Sequence, residues 1–347
     1  MNILFLAHST DQKSGWGRYA ADLIKGLKDS GHNVVVLEEK VWGAKLFLSA
    51  LRARKHIKNC DIVHAFDVYP YGVIAYLANI LLGKKLIISA QGTYAIAPLY
   101  NIKTSLLCKL ALKRADSIIA ISNFTKHELL KKITVNKIEI INHGVNLDKF
   151  YKPHIDSQDK FILSVGAIKY RKGYHISIPA FAEAKKKFSE LKYKIVGNQD
   201  DTIYFSQLRD LAKKYEVQES IEFLTEISDD ELSALYQSAK VFLLPSINHD
   251  HHFEGFGLVF LEAAAAGTPS IGTFGSGVED AVKDSYNGIL VPQSNIEKTS
   301  RAITEMLGDK NKWQEMSENS HKWAYAHSLD GTIKEYSRVY LDILNKI

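Results

Sequence analysis

The chain has 347 residues, 46% of them apolar and 24% charged, enough to build two cores of ordinary domain size and not the composition of a disordered segment. Its net charge of +5 suits phosphate-bearing ligands or anionic lipid and is too weak to indicate nucleic acid as a partner. Cys60 and Cys108 are too few and too far apart for a disulfide framework or a zinc site, which fits a reducing cytoplasm.

Residues 1–7 lack a basic leader and read as a first strand over 2–7 rather than as a signal peptide. A loop from His8 follows, carrying Gly15, Gly17 and Arg18, then a helix over 19–30 closed by Gly31 and a strand over 34–37. This is a βαβ unit with its ligand side at the strand's C-terminal end, although the glycines are not spaced as a dinucleotide fingerprint. Residues 41–59 form a basic amphipathic helix. Trp42, Leu46, Phe47, Ala50 and Ile57 are expected to face inward, and Lys45, Arg52, Arg54, Lys55 and Lys58 outward. Such a helix packs on a sheet; the sharper reading adds contact with an anionic membrane or a lipid-linked acceptor. Residues 72–90 are apolar but broken by Lys84 and Lys85, so no run is long enough to span a bilayer.

A strand over 61–64 puts His64 at the ligand side of the sheet, and a strand over 85–90 leads to Gln91. Residues 100–115 form a second basic, apolar helix. Strands over 117–122 and 137–141 bracket a helix capped by Ser122 or Asn123. Residues 147–160 have linker composition, dividing the chain into domains 1–150 and 151–330.

The second half restarts the alternation. A strand over 161–166 ends at Gly166 and runs into a turn holding Lys169, Arg171 and Lys172. Strands over 193–197 and 221–224 alternate with helices over 203–215 and up to about 240. Residues 241–244 are a buried strand stopped by Pro245. Glu254 then lies in the loop before an alanine-rich helix over 257–266, which contains Glu262 and is stopped by Gly267 and Pro269. The first turn of a helix offers unpaired N–H groups and a positive dipole end, so the backbone of Phe256, Gly257 and Leu258 can hold an anion. Two carboxylates placed before and within that helix can grip hydroxyl groups on either side of a diphosphate. The plainer reading is a cap carboxylate and a solvated glutamate. Asn248 to His252 suggest a metal, yet consecutive His and Asp in a loop lack helical or finger spacing, and no metal site is expected. Residues 288–292 read as an edge strand, and helices over 295–307, 310–326 and 330–345 complete the chain.

Glu254-Gly-Phe-Gly-Leu-Val-Phe-Leu-Glu262, followed by Ala-Ala-Ala-Ala-Gly-Thr-Pro, resembles the E-x7-E signature of the family-4 retaining glycosyltransferases. The likeness extends over most of the chain. Asn142-His-Gly-Val-Asn146 resembles the family's N-G-V-D segment. The turn at 167–173 resembles its G-R-x(n)-K-G loop, in which two cations neutralise the donor diphosphate. Lys172 matches the lysine, but Ala167 stands at the arginine position, so Lys169 or Arg171 must substitute. Ser276 and Gly277 fall in a segment resembling the glycine pair that meets the diphosphate. Gly15, Gly17 and Arg18 match the glycine-rich loop near donor and acceptor. Family members often have His where this chain has Gln91. An amide can hydrogen-bond a hydroxyl but cannot exchange a proton at neutral pH, so any role of Gln91 is positional, with His8 and His64 as other candidates.

The resemblance implies an α/β fold of GT-B type: two Rossmann-like domains facing across a cleft, with the C-terminal helix 331–347 crossing back to the first. It implies an acceptor domain over 1–150 and a donor domain over 151–330. The implied activity is retaining transfer of a hexose-type sugar from a UDP-, GDP- or ADP-sugar to a glycan or lipid-linked acceptor, with no cofactor and no metal. Glu254, Lys172 and Arg171 would act in catalysis. Glu262, Phe256, Gly257, Leu258, Gly15, Gly17, Lys169, Gly166, Ser276 and Gly277 would hold the donor; Gln91, His64 and Arg18 would meet substrate. Cell-surface polysaccharide or glycolipid synthesis, at the inner face of a membrane, is the matching setting. A sugar-nucleotide epimerase or hydrolase, and a non-catalytic sugar-nucleotide binder, stay open as alternatives; the departures at Gln91 and Ala167 favour the binder.

Overall fold

Two runs of alternating strands and helices give two six-stranded parallel sheets, one in each of two units: Met1–His143 with Leu329–Ile347, and Gly144–Ser328. The computed structural model describes residues 1–11, 15–38, 45–135, 137–155 and 160–345; Trp42, expected inward, lies outside them.

In the first unit β1 (Asn2–Ala7), β2 (Asn33–Glu38), β3 (Ile62–Ala65), β4 (Lys85–Ala90), β5 (Ser117–Ala120) and β6 (Ile138–Ile140) stand in the order β2-β1-β3-β4-β5-β6. Every residue of β3 and β5 is buried, as parallel strands covered on both faces require. The winding direction reverses between β1 and β3, so a crevice opens beyond the C-terminal ends of those two strands.

Helix α1 (Gly15–Asp29) starts earlier than the expected residue 19, which places Gly15, Gly17 and Arg18 in its first turn rather than in a loop. Helix α2 (Lys45–Ile57) buries Leu46, Ser49, Ala50, Ala53 and Ile57. Phe47 is not inward as expected: it follows Leu46 by one helical step, about 100° off the buried stripe, and is 62% exposed. Two short helices, α3 (Val73–Asn79) and α4 (Thr93–Tyr100), have no counterpart in the sequence reading; α5 (Ile102–Arg114) matches the second basic helix.

The C-terminal helix Leu329–Asn345 returns to the first unit, as expected, and packs on α1. Ile333 sits where a Cβ on Gly26 would come within 1.9 Å of its Cδ1, so a larger residue there would force the Ile333 side chain to move. The same helix corrects the reading of His64. Its ring is fully buried, with Nδ1 2.7 Å from the Tyr340 hydroxyl and Nε2 2.8 Å from Ser89 Oγ. Both nitrogens are engaged in the core, so His64 ties the C-terminal helix to the sheet and does not face a ligand.

Burial lowers the pKa of His64 from its ordinary 6.5 to about 3, and does the same for His143. Folded-state values below the unfolded ones mean that the unfolded chain binds the protons. Stability contributed by these neutral rings is therefore complete above pH 6.5 and lost as the pH falls toward 3. Urea midpoints measured from pH 7.5 down to 4 should decline from about pH 6.5 in the wild type and less steeply in His64→Gln. An identical slope would contradict this.

The second unit orders β7 (Phe161–Val165), β8 (Lys192–Val196), β9 (Ile221–Leu224), β10 (Val241–Leu243), β11 (Ser270–Thr273) and β12 (Gly288–Val291) as β12-β11-β10-β7-β8-β9. Counted from β7 this is the doubly wound order of nucleotide-binding folds, and the reversal falls between β7 and β10. The expected linker is partly helical: Leu147–Phe150 is a turn of helix capped by Asn146. The Ser228 side chain and Glu231 form a capping box before the helix Asp229–Ser238, and β12 is the edge strand expected over 288–292.

Candidate functional site

In the second unit the loops after β7 and β10 leave the sheet on either side of the winding reversal, and the charged residues singled out in the sequence meet there. After β7 the chain passes Gly166 and makes a tight turn at Tyr170–Lys172. The Tyr174 hydroxyl donates to the Gly166 carbonyl at 2.7 Å and pins this loop. Gly173 closes the turn with φ +74°, and a Cβ there would lie 1.9 Å from the Pro245 carbonyl oxygen. Only glycine gives both that backbone and that approach, and the approach lays the β7 loop against the β10 loop.

Glu254 is thereby bracketed by cations. Lys172 Nζ donates to Glu254 Oε2 at 2.5 Å, Arg171 Nη1 at 3.0 Å and Ser246 Oγ at 3.5 Å. Burial alone would raise the Glu254 pKa, but the charges of Lys172 and Arg171 and their hydrogen bonds outweigh it and hold the carboxyl at about 2. For Lys172 burial dominates instead and lowers its pKa, with Glu254 opposing. Both values move down, which favours the charged form of Glu254 and disfavours that of Lys172. The firm conclusion is that Glu254 is ionised at neutral pH. Lys169 is exposed at the start of the turn and makes none of these contacts; Arg171 is the second cation brought onto the carboxylate.

Beyond Glu254, Gly257 (φ +89°) opens the short helix Leu258–Ala265. Phe256 is buried just before it, and Leu258, half-buried, begins its first turn. Glu262 lies inside the helix, buried, and its Oε2 accepts a hydrogen bond from the buried Tyr236 hydroxyl at 2.8 Å. The loop after β11 changes one expectation. Gly277 does not offer its amide to a diphosphate, because that N–H donates to the Glu254 carbonyl at 2.9 Å. Its glycine identity serves packing: a Cβ would lie 1.9 Å from the Gly255 carbonyl oxygen. The Gly275 amide is likewise spent on the Glu279 carboxylate at 2.6 Å, and Ser276 is buried beside it.

The first unit carries its own cluster beyond β1, β3 and β4. Trp16 meets Phe66 and Tyr94 edge-on at 5.6 and 5.0 Å, and Tyr19 stacks on His143 at 3.8 Å. Gly17 is a packing position, since a Cβ would strike the Asp11 carbonyl oxygen at 2.1 Å, whereas Gly15 is exposed and Arg18 half-buried. Gln91 is buried, and its Oε1 lies 2.9 Å from His143 Nε2. An amide oxygen only accepts, so Nε2 of the neutral His143 carries the proton. Gln91 Nε2 has no hydrogen-bond partner among the described residues. The pair leaves the buried Gln91 amide nitrogen with its donors unsatisfied among the described residues.

Sequence reasoning missed Ser246, Tyr236, Tyr174 and the contact of His143 with Gln91. His143 was inside a quoted motif, but nothing in the chain signals a partner 52 residues away.

Comparison with known proteins agrees with this architecture. Residues 147–323 match the family model described as "Glycosyl transferases group 1", and residues 13–149 that described as "Glycosyltransferase Family 4". An uncharacterized glycosyltransferase of Methanocaldococcus jannaschii is 26% identical over 315 residues, covering 90% of this chain and 84% of that protein. A glycosyltransferase structure from Rickettsia africae matches with a TM-score of 0.83 at 21% identity, covering 100% of this chain and 99% of the other. The Anabaena protein HepE, solved in complex with UDP-glucose, matches with a TM-score of 0.80 at 17% identity over 99% of both chains. At these identities the structural matches establish the fold, which is GT-B.

Proposed function

Given that the chain belongs to the group 1 glycosyl transferases, we propose that it moves a hexose-type sugar from a nucleoside-diphosphate sugar to a glycan or lipid-linked acceptor, with retention at the anomeric carbon and without a metal. The observation that carries this reading is the meeting of Lys172, Arg171 and the ionised Glu254 at the winding reversal of the second unit. Negative charge develops on the diphosphate as it leaves, and two fixed cations stabilise it there without reorganising. Glu254 is paired with both cations. When a diphosphate takes them over, the carboxylate is released to hold sugar hydroxyls. Glu262, fixed by Tyr236, holds the ribose hydroxyls, and the N-terminal turn at Leu258 faces the anionic part of the donor. Retention then follows from attack on the face the leaving phosphate vacates, with that phosphate taking the acceptor proton.

The test is incubation with UDP-, GDP- and ADP-sugars and glycan acceptors, with the product followed by proton NMR. A glycoside of retained configuration is expected. An inverted product, or free sugar with no glycoside, would overturn the proposal.

Gln91 has a separate expected outcome. Gln91→Glu keeps the bond from His143 but removes the buried N–H donors, which we propose a substrate oxygen takes up. It should lower kcat/KM by about ten- to a hundredfold, the size of one hydrogen bond to substrate. Unchanged kcat/KM with an unchanged melting temperature would remove Gln91 from substrate recognition.

A further inference from the structure

We propose that the outer face of helices α2 and α5 is a docking surface for an anionic lipid bilayer. On α2, Phe47, Leu48 and Leu51 are 62%, 58% and 62% exposed; on α5, Ile102 and Leu106 are 95% and 68% exposed. Helix α2 packs on α3 and α3 on α5, so these side chains belong to one helical layer of the first unit, and the turn after α3 adds Leu81 at 94% exposure. On α5, Ile102, Leu106 and Leu110 recur every four residues and form a stripe down the helix.

The charged side chains on these two helices carry one sign. Lys45, Lys55 and Lys58 are exposed on or just after α2, and Lys103, Lys113 and Arg114 on α5. From residue 45 to residue 115 the only acidic residues are Asp61 and Asp67. Asp61 accepts the Asn2 amide, and Asp67 is buried and accepts the Val68 amide. Arg54 is not counted among the outward cations, because it holds the Ala78 and Ile80 carbonyls at the C-terminal end of α3.

A second copy of the chain suits this face poorly, since a two-fold contact would set the cations against one another. An anionic bilayer matches both features. Its phosphates lie at the height lysine ammonium groups reach, and its acyl boundary receives phenylalanine, leucine and isoleucine side chains. The surface lies in the first unit and requires neither donor nor acceptor, so the inference stands apart from the transferase reading and its failure would leave that reading intact.

The test is sedimentation of the full chain with vesicles of phosphatidylcholine alone and of phosphatidylcholine mixed with phosphatidylglycerol. The protein should pellet with the mixed vesicles at low salt and stay in solution with the neutral ones. Two multiple variants separate the contributions: Phe47→Ser, Leu51→Ser, Ile102→Ser and Leu106→Ser together, and Lys45→Glu, Lys55→Glu and Lys103→Glu together. Each should reduce vesicle partitioning at least about tenfold with the melting temperature unchanged, since every altered side chain is exposed. Equal pelleting of wild type and both variants, or none with anionic vesicles, overturns the proposal. So does a wild-type dimer in sedimentation equilibrium that the serine variant dissociates, which would assign the face to a second copy.

Discussion

Glu254→Gln should lower turnover by about a hundred- to a thousandfold while nucleoside-diphosphate affinity is kept or increased. The side chain keeps its shape but loses the charge that pairs with Lys172 and Arg171. Those cations are then left for the diphosphate alone, so binding does not suffer, whereas the group that would orient the sugar is weakened. Removing one partner of a buried ion pair costs about 3–5 kcal/mol, so the unliganded variant should also melt lower, and a nucleoside diphosphate should recover much of the loss. Initial rates and titration calorimetry on the same preparation check both halves. Turnover within about threefold of wild type would remove Glu254 from the reaction.

Lys172→Ala should be the more damaging change, lowering both donor affinity and turnover, with kcat/KM down by about a thousandfold. Lys172 is buried with its stem beside Gly166, whereas Arg171 is more exposed and offers a less desolvated charge. Lys172→Arg should not rescue, because a planar guanidinium does not reproduce the compact point charge that the lysine ammonium sets against Glu254 Oε2. The acid side of the stability profile gives a second readout. Glu254 is held at about 2 against an ordinary 4.5, so its contribution is present above pH 4.5 and lost as the pH falls toward 2. Without Lys172 that loss should shrink. Full activity in Lys172→Ala, or an unchanged acid profile, would contradict the assignment.

The sequence revealed this architecture wherever one residue type acts locally. Buried parallel strands are largely apolar runs, which made β1, β7 and β10 readable, and Gly267 and Pro269 stop the helix Leu258–Ala265 by backbone chemistry alone. The eight-residue spacing of Glu254 and Glu262 was readable for the same reason, as was the lysine of the turn after β7.

What escaped depends on contacts between distant parts of the chain. Position at a strand end could not show that Tyr340, 276 residues on, would occupy His64. Nothing in the helix Asp229–Ser238 announced that Tyr236 would hold Glu262. Gly277 sits where an amide donor was expected, but whether its N–H is available depends on a carbonyl in another loop. For Phe47 the error was one of phase. Apolar residues crowd α2 so densely that the pattern allowed more than one inward stripe, and packing on α3 decided between them.

If Lys172 and Arg171 hold the diphosphate of a sugar nucleotide, a thermal-shift panel of UDP, GDP, ADP, their sugar conjugates and the free nucleosides will show it. Ligands that bind the native state raise its melting temperature, so one base series should shift it, as the diphosphate and the sugar conjugate but not as the nucleoside, and the shift should vanish in Lys172→Ala. No shift at saturating ligand, or an equal shift in Lys172→Ala, would mean that these cations do not hold the diphosphate.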